Sequence, residues 1–188
     1  MTYTPRLSLC TLSLAAALTA GCSPMTAPPM QGGMPSTTAT AGAGGVQDLQ
    51  FATLAAGNGL YEVEASRLAM SRSTRSDVRD YAQMLVNHHT MANDELASLV
   101  RGKGLPVPGT LPADKKIKLN ALSTASGTGF DRLYLTTTGI EDHQADIALY
   151  ERASREVSDP ALRAFAGRTL PRLQMHLQAA RTLAAGSR

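Results

Sequence analysis

The stretch "VRDYAQMLVNHHTMANDELASL", residues 78–99, repeats its apolar side chains every three to four positions. That spacing places them on one face of an α-helix, whereas a half-buried strand would alternate at every second position. His89 falls on the same face as the apolar residues, and His88 lies at its edge. The sequence therefore predicts a long amphipathic helix whose inward face carries an imidazole.

Three other stretches show the same periodicity. They predict helices from about Asp48, as N-cap, to Arg72, from about Thr128 to the "SDP" at 158–160, and from Asp159, as N-cap, to about Leu183. A short helix is predicted over 114–126, and no stretch after Val46 alternates like a strand. The expected fold class is all-α: an up-down four-helix bundle with a short extra helix in the crossover between helices 2 and 3.

Each predicted helix has a narrow inward face. These faces are Phe51, Leu54, Ala55, Asn58, Glu62, Ala65 and Ala69 on the first helix; Val78, Tyr81, Ala82, Leu85, His89, Ala92, Leu96 and Leu99 on the second; Leu133, Thr136, Ile140, His143, Ile147 and Tyr150 on the third; and Leu162, Phe165, Thr169, Leu173, His176, Ala180 and Leu183 on the fourth. Counting ~1.5 Å per residue from the turns brings one ionisable side chain per helix to a common height. We call Glu62, His89, His143 and His176 the polar cluster.

The polar cluster predicts either of two sites. One carboxylate and three neutral imidazoles would suit one divalent transition metal ion, such as zinc, iron or copper. Alternatively, the same side chains could form a metal-free hydrogen-bond network in which Glu62 accepts from two imidazoles. In both cases the expected outer partners are Asn58, His88, Thr169 and Arg172. A pH-responsive bundle is a third hypothesis, because imidazoles titrate near neutral pH.

A dinuclear carboxylate centre is not expected. Such centres draw a Glu-x-x-His pair from each of two helices. Here the residues three positions before His89, His143 and His176 are apolar: Val86, Ile140 and Leu173.

The amino-terminal residues predict export. Arg6 precedes an apolar run over 7–20, and "LTAGC" ends that run at Cys22. This is typical of a lipoprotein-type signal peptide over 1–22 with lipidation at Cys22, although Leu18 lies one position further from the cysteine than is usual. Cys10 would be removed with the signal, so no disulfide is expected.

The residues behind Cys22 predict a tether and a location. Segment 23–45 is rich in Pro, Gly, Ser and Thr and predicts a disordered tether, which leaves 46–188 for the bundle domain. Ser23 favours sorting to the outer membrane, with the domain facing the periplasm. A soluble periplasmic or secreted protein is the alternative.

Composition argues against several functions. The formal net charge is +3 with basic residues scattered and no Trp, so no nucleic-acid partner is expected. There is no phosphate loop or Ser-His-Asp set, and enzymatic activity is not favoured. Four acids, Asp94, Glu95, Asp142 and Asp146, are expected to be solvated or in weak ion pairs.

Several motifs recur in the order known from one family. These are "FATLAAGNGLYEVEASRLAMSRS", "VRDYAQMLVNHHTMANDELASLVRGKGLPVP", "FDRLYL", "DHQADIALYERAS" and "DPALRAFAGRTLPRLQMHLQAA". Together they resemble an uncharacterised bacterial envelope family, domain-of-unknown-function family 4142. The resemblance implies a ferritin-like four-helix bundle and matches the family pattern at Glu62, His143 and His176. Members commonly show Asp-His-Thr in the second helix, where this chain keeps His89 but has His88 in place of the acid.

Two functions remain as expectations. The first is a non-enzymatic envelope interaction or stress-related module, anchored to the membrane by lipid, whose core is fixed by the polar cluster. The alternative is a mononuclear metal-binding module that uses the same four side chains. The protein partner of the first is not predicted.

Overall fold

The computed structural model describes residues 43–186, which form six α-helices and one π-helix. The helices are α1 Ala43–Arg72, α2 Ser76–Val100, α3 Ala113–Thr124, α4 Gly127–Tyr134, the π-helix Leu135–Asp142, α5 His143–Glu156 and α6 Pro160–Ala185. Helix α4, the π-helix and α5 follow one another without a break. They make the third bundle helix, residues 127–156.

The predicted all-α bundle is confirmed. Helix α1 packs along α2, α5 packs along α6, and α2 also contacts α6. Helix α3 is the predicted crossover helix, and it lies against α1. The predicted signal peptide, the lipidation site Cys22 and residues 23–42 of the predicted tether lie outside the described residues.

None of the helices within residues 43–186 has the length and apolar character that crossing a membrane requires.

Two apolar clusters fill the interior on either side of the polar cluster. One includes Phe51, Leu96, Tyr150, Leu162 and Phe165, and the other includes Tyr81, Leu85, Leu122, Phe130 and Tyr134. Along each long helix the polar residue falls between positions of the two clusters. The apolar contacts therefore fix the four helices above and below the level at which the polar side chains meet.

The start of α1 differs from the prediction. Helix α1 begins at Ala43, so Asp48 is not its N-cap and the last residues of the predicted tether are helical. The buried Asp48 carboxylate instead accepts hydrogen bonds from the backbone N–H groups of Ser158 (2.7 Å) and Asp159 (3.2 Å). This side chain joins α1 to the α5–α6 turn. The inward assignment of Leu54 is also wrong, because 44% of its surface is exposed.

The first half of the third bundle helix is rotated relative to the prediction. Thr136 was expected to point inward but is exposed, whereas Tyr134, Leu135, Thr138 and Gly139 are buried. The π-helix explains the shift, since its hydrogen bonds join residues five apart and each turn holds more residues than an α-turn. Counting back from His143 in α-helical steps of three and four residues therefore selects the wrong positions as buried.

Candidate metal centre

His143 lies at the junction of the π-helix and α5, and its ring is fully buried. Its Nδ1 donates a hydrogen bond of 2.8 Å to the Thr138 carbonyl, which can only accept. A neutral imidazole carries one proton, so Nε2 of His143 holds a lone pair. That nitrogen lies 3.2 Å from Nδ1 of His176.

The three inward imidazoles gather at one point. The ring centroids of His89, His143 and His176 are 5.2–5.5 Å apart, and the ring planes are inclined by 47–79° rather than stacked. One nitrogen from each ring lies within 4.8 Å of one nitrogen of each other ring. All three residues are buried. The convergence expected from the sequence is confirmed.

The spacing of these nitrogens suits a single ion. Two nitrogens bound to tetrahedral zinc at 2.0–2.1 Å stand about 3.3 Å from each other. The 3.2 Å between His143 Nε2 and His176 Nδ1 already matches that distance. The third nitrogen, on His89, lies within 4.8 Å of a nitrogen of each other ring and must move toward them to complete a set of three ligands.

Glu62 stands on the other side of two of the rings. Its Oε2 is 3.0 Å from Nδ1 of His89, and its Oε1 is 3.4 Å from Nδ1 of His143. Neither contact has hydrogen-bond alignment, and the Glu62 carboxyl instead lies within hydrogen-bonding reach of Asp146. Within residues 43–186, Nε2 of His89 is buried without a hydrogen-bond partner in a core where polar groups are normally paired.

Burial lowers the pKa of every histidine in the cluster. The pKa of His89 falls well below its usual value because the ring is desolvated and because other imidazoles lie close. Burial lowers the pKa of His176 to about 2, with a further contribution from His143. The pKa of His143 is also lowered by burial. The rings are therefore neutral at physiological pH, which is the form that binds metal ions.

Burial acts on two carboxyls in the opposite direction. The pKa of Glu62 rises well above its usual value, first through burial and then through the charge of Asp146. The pKa of Asp146 rises to about 7, also mainly through burial, although Asn58 donates a hydrogen bond of 2.5 Å to its Oδ1. Both side chains are buried, and the two carboxyls lie within hydrogen-bonding reach of each other.

The expectation that Asp142 and Asp146 are solvated is wrong. They are only 7% and 2% exposed, because the third bundle helix turns them toward α1 and the crossover helix α3. The spacing of His143 and Asp146, three residues apart, places both on one helix face and could have indicated this. Asp94 and Glu95 are exposed as predicted, and Glu95 pairs with Arg168.

The crossover helix brings positive charge to this region. Lys118 donates a hydrogen bond of 2.5 Å to Asp142, and Nζ of Lys115 lies 3.8 Å from the same carboxylate oxygen. Both ammonium groups lie over the Tyr61 ring. Nζ of Lys115 is 5.4 Å from the ring centroid, and Nζ of Lys118 is 5.9 Å from it. The charge of Lys115 partly offsets the rise in the pKa of Glu62.

The four predicted outer partners lie in different places. His88 contacts the cluster directly, with Nδ1 2.8 Å from Nε2 of His176, and Asn58 reaches it through Asp146. Arg172 is exposed, and its charge adds to the burial that lowers the pKa of His88, His89 and His176. Thr169 donates to the Phe165 carbonyl instead of to the cluster.

A small cavity adjoins the polar cluster. It measures about 10 Å³, and its lining includes Glu62, His89, Asp146, His176 and, toward the surface, Arg172. This volume corresponds to about one water-sized sphere. A space of this size beside the three imidazoles can hold one small ligand such as a water.

Comparison with known proteins gives a family and no function. The family model described as "Domain of unknown function (DUF4142)" matches residues 33–183. No curated protein matches the chain, and no solved structure matches it.

Proposed function

This chain belongs to the DUF4142 family, and we propose that its helical domain binds one divalent transition metal ion through His89, His143 and His176. One observation carries the proposal: three buried imidazoles, each offering a nitrogen within 4.8 Å of the other two, meet at the centre of the bundle. The Thr138 carbonyl holds the proton of His143 on Nδ1, so Nε2 faces His176 with its lone pair. Neutral nitrogen donors favour zinc, copper or iron over magnesium or calcium.

Glu62 supports the ligands in this proposal. Its carboxyl oxygens lie beside Nδ1 of His89 and Nδ1 of His143, away from the nitrogen that His143 directs into the cluster. Carboxylates in that position orient a ligating imidazole and increase its basicity. The ion in turn supplies positive charge beside Glu62 and Asp146, two carboxyls whose pKa is raised by burial. A role of Glu62 as fourth ligand stays a prediction from the sequence.

The metal-free network explains the same residues less well. It accounts for the contacts among His88, His143 and His176. It leaves Nε2 of His89 without a partner within residues 43–186. An unsatisfied buried group costs about 1–3 kcal/mol, and an ion bound at that nitrogen removes a cost that the metal-free network keeps.

The proposed role is binding rather than catalysis. Three protein ligands leave one tetrahedral position to a water or another small ligand. The cavity of about 10 Å³ has room for a ligand of that size only. The envelope interaction or stress-related role stays a prediction, and a core fixed by metal is compatible with it.

Metal content of the mature protein, purified without chelators, tests the proposal. We expect about one zinc, copper or iron ion per chain, and loss of that metal in His143→Gln and His89→Gln. We also expect the wild type, but neither variant, to unfold at a higher temperature when Zn²⁺ is added, because the ion binds only the folded form.

Ser66→Ala is the matched control. It removes a buried hydroxyl that bonds to Tyr134 at 2.8 Å and lies outside the polar cluster. Circular dichroism checks that each variant is folded. A folded wild-type protein without metal, and without a thermal shift in Zn²⁺, would refute the proposal and favour the metal-free network.

A further inference from the structure

His88 and His176 form a contact that the proposed ligand set does not use. Nδ1 of His88 lies 2.8 Å from Nε2 of His176, and the two rings meet edge to edge with centroids 5.1 Å apart and planes 16° from parallel. His176 is 1% exposed, whereas His88 is only partly buried at the edge of the cluster. His88 is thus the outer neighbour of a proposed ligand.

The contacts fix the proton positions in the metal-free protein. His143 Nδ1 donates to the Thr138 carbonyl, so His143 Nε2 can only accept, and it accepts from Nδ1 of His176 at 3.2 Å. A neutral His176 with its proton on Nδ1 has a lone pair on Nε2. The remaining contact therefore requires His88 to donate from Nδ1 to Nε2 of His176.

A bound ion requires the opposite arrangement at His176. The nitrogen that faces His143 is Nδ1 of His176, and it must lose its proton to bind an ion. A neutral ring then carries its proton on Nε2, which points at Nδ1 of His88. His88 must accept at that atom or leave a buried N–H without a partner.

On the basis of the proposed function, we propose that His88 is a positioning residue whose two tautomers serve the metal-free and the metal-bound forms of His176. In the metal-free form His88 donates from Nδ1. In the metal-bound form its proton lies on Nε2, and its Nδ1 accepts from Nε2–H of His176. His88 passes its Nδ1 proton to Nε2 of His176, His176 loses its Nδ1 proton as the ion binds, and His88 takes up one proton from solvent on Nε2. The exchange therefore releases no proton in net terms.

Nitrogen-15 NMR of the imidazoles observes this directly. In the metal-free wild type we expect protons on Nδ1 of His88, His143 and His176. Addition of Zn²⁺ moves the proton to Nε2 in His88 and His176 and leaves His143 unchanged. A proton on Nε2 of His176 before metal is added, or a His88 tautomer that Zn²⁺ does not change, overturns the inference.

Zn²⁺ affinity of variants supplies a second readout. His88→Leu cannot accept, so Zn²⁺ binding weakens by about 10–100-fold, the usual effect of losing an outer partner of a ligand. His88→Asp can only accept, which matches the metal-bound arrangement of His176, so this variant binds Zn²⁺ at least as tightly as the wild type. Asn87→Asp adds the same charge at the adjacent exposed position and leaves binding unchanged.

The outcomes separate two failures. Equal Zn²⁺ affinity in His88→Leu, His88→Asp and the wild type overturns the role of His88 and leaves the metal site intact. A wild type that binds no Zn²⁺ overturns the proposed function and this inference with it. Thermal unfolding of each metal-free variant confirms that an affinity change does not come from loss of fold.

Discussion

At the scale of single residues, the Thr138 carbonyl decides which nitrogen of His143 faces the cluster. It accepts from Nδ1 at 2.8 Å, and so leaves Nε2 as the atom directed toward His176. The carbonyl comes from five residues earlier in the chain, inside the π-helix. The backbone conformation before His143 thus selects a tautomer that can bind an ion.

Gly139, beside Thr138, permits close packing of the π-helix against α6. A Cβ at this position would lie 2.8 Å from Cβ of Ala180, which cannot move without shifting α6. We expect Gly139→Ala to lower the free energy of unfolding by about 1–3 kcal/mol, since it overpacks a filled core. Urea unfolding followed by circular dichroism measures this.

Gly167→Ala is the control for that substitution. Gly167 lies within α6, and a Cβ there meets nothing within 4 Å. Alanine is a better helix former than glycine, so we expect this variant to raise the free energy of unfolding by up to about 1 kcal/mol. Equal effects of the two substitutions would show that the contact between Gly139 and Ala180 does not limit packing.

At the scale of secondary-structure elements, the first turn of α6 was predicted correctly. Asp159 is its N-cap and accepts from the backbone N–H groups of Ala161 (2.9 Å) and Leu162 (3.0 Å), with Pro160 at the first helical position. These signals are local, since a side chain caps groups two and three residues away. The π-helix was not predicted, because "LTTTGIED" contains no comparable local signal.

The cap should make stability depend on pH. The hydrogen bond from Lys103, followed by those from the backbone, holds the pKa of Asp159 below its usual value. The stabilisation is therefore complete above the unfolded-state pKa of about 3.9 and is lost as the pH falls through the lower folded-state pKa. We expect Asp159→Ala to lower the free energy of unfolding by about 1 kcal/mol at pH 6, and by less at about pH 2.

Unfolding in urea at the two pH values measures the difference. Asp159→Asn is the matched variant, because its amide oxygen can accept from the backbone at either pH. Asp159→Asn should therefore remain more stable than Asp159→Ala at the lower pH as well. A difference between wild type and Asp159→Ala that is the same at both pH values would contradict the assigned role of the carboxylate.

At the scale of the whole molecule, apolar packing holds the polar cluster together. The apolar clusters around Phe51 and around Tyr134 lie on opposite sides of it, and the crossover helix α3 closes one flank with Lys115 and Lys118. Burial of the ionisable groups is unfavourable by itself. The favourable free energy of the apolar contacts offsets the cost of burying these groups. The same contacts fix the height along the bundle at which the imidazoles meet.

The position of the domain in the cell is a separate proposal, based on the sequence of residues 1–45. We propose that Cys22 carries lipid and that the domain faces the periplasm from the outer membrane, tethered by residues 23–42. The apolar run, "LTAGC" and Ser23 support it.

Cell fractionation tests the anchor. Each buried CH₂ of an acyl chain contributes about 0.8 kcal/mol to membrane binding, so a multiply acylated cysteine stays with the membrane. We expect the wild type in the outer-membrane fraction and Cys22→Ser outside it. Cys10→Ser, inside the predicted signal, is the control and should not change the distribution. Identical fractionation of Cys22→Ser and wild type would refute the lipid anchor.

The sequence by itself determined the helices and most of their inward faces. Helical periodicity is a local property, so the spacing of Glu62, His89, His143 and His176 within their own stripes was enough to predict that they converge. The N-cap at Asp159 and the crossover helix were also predicted from the sequence. By contrast, Asp48 was misread as a cap, because its partners Ser158 and Asp159 lie about 110 residues away.

Only the tertiary structure decided the orientation and environment of the site. It buried Asp142 and Asp146, placed Glu62 beside the Nδ1 atoms of His89 and His143, and put His88 against His176. These features depend on contacts between helices and on the π-helix that rotates the third bundle helix, neither of which periodicity encodes. Which nitrogen faces an ion is set by those contacts, because a ring can carry its proton on either side until a neighbour selects one.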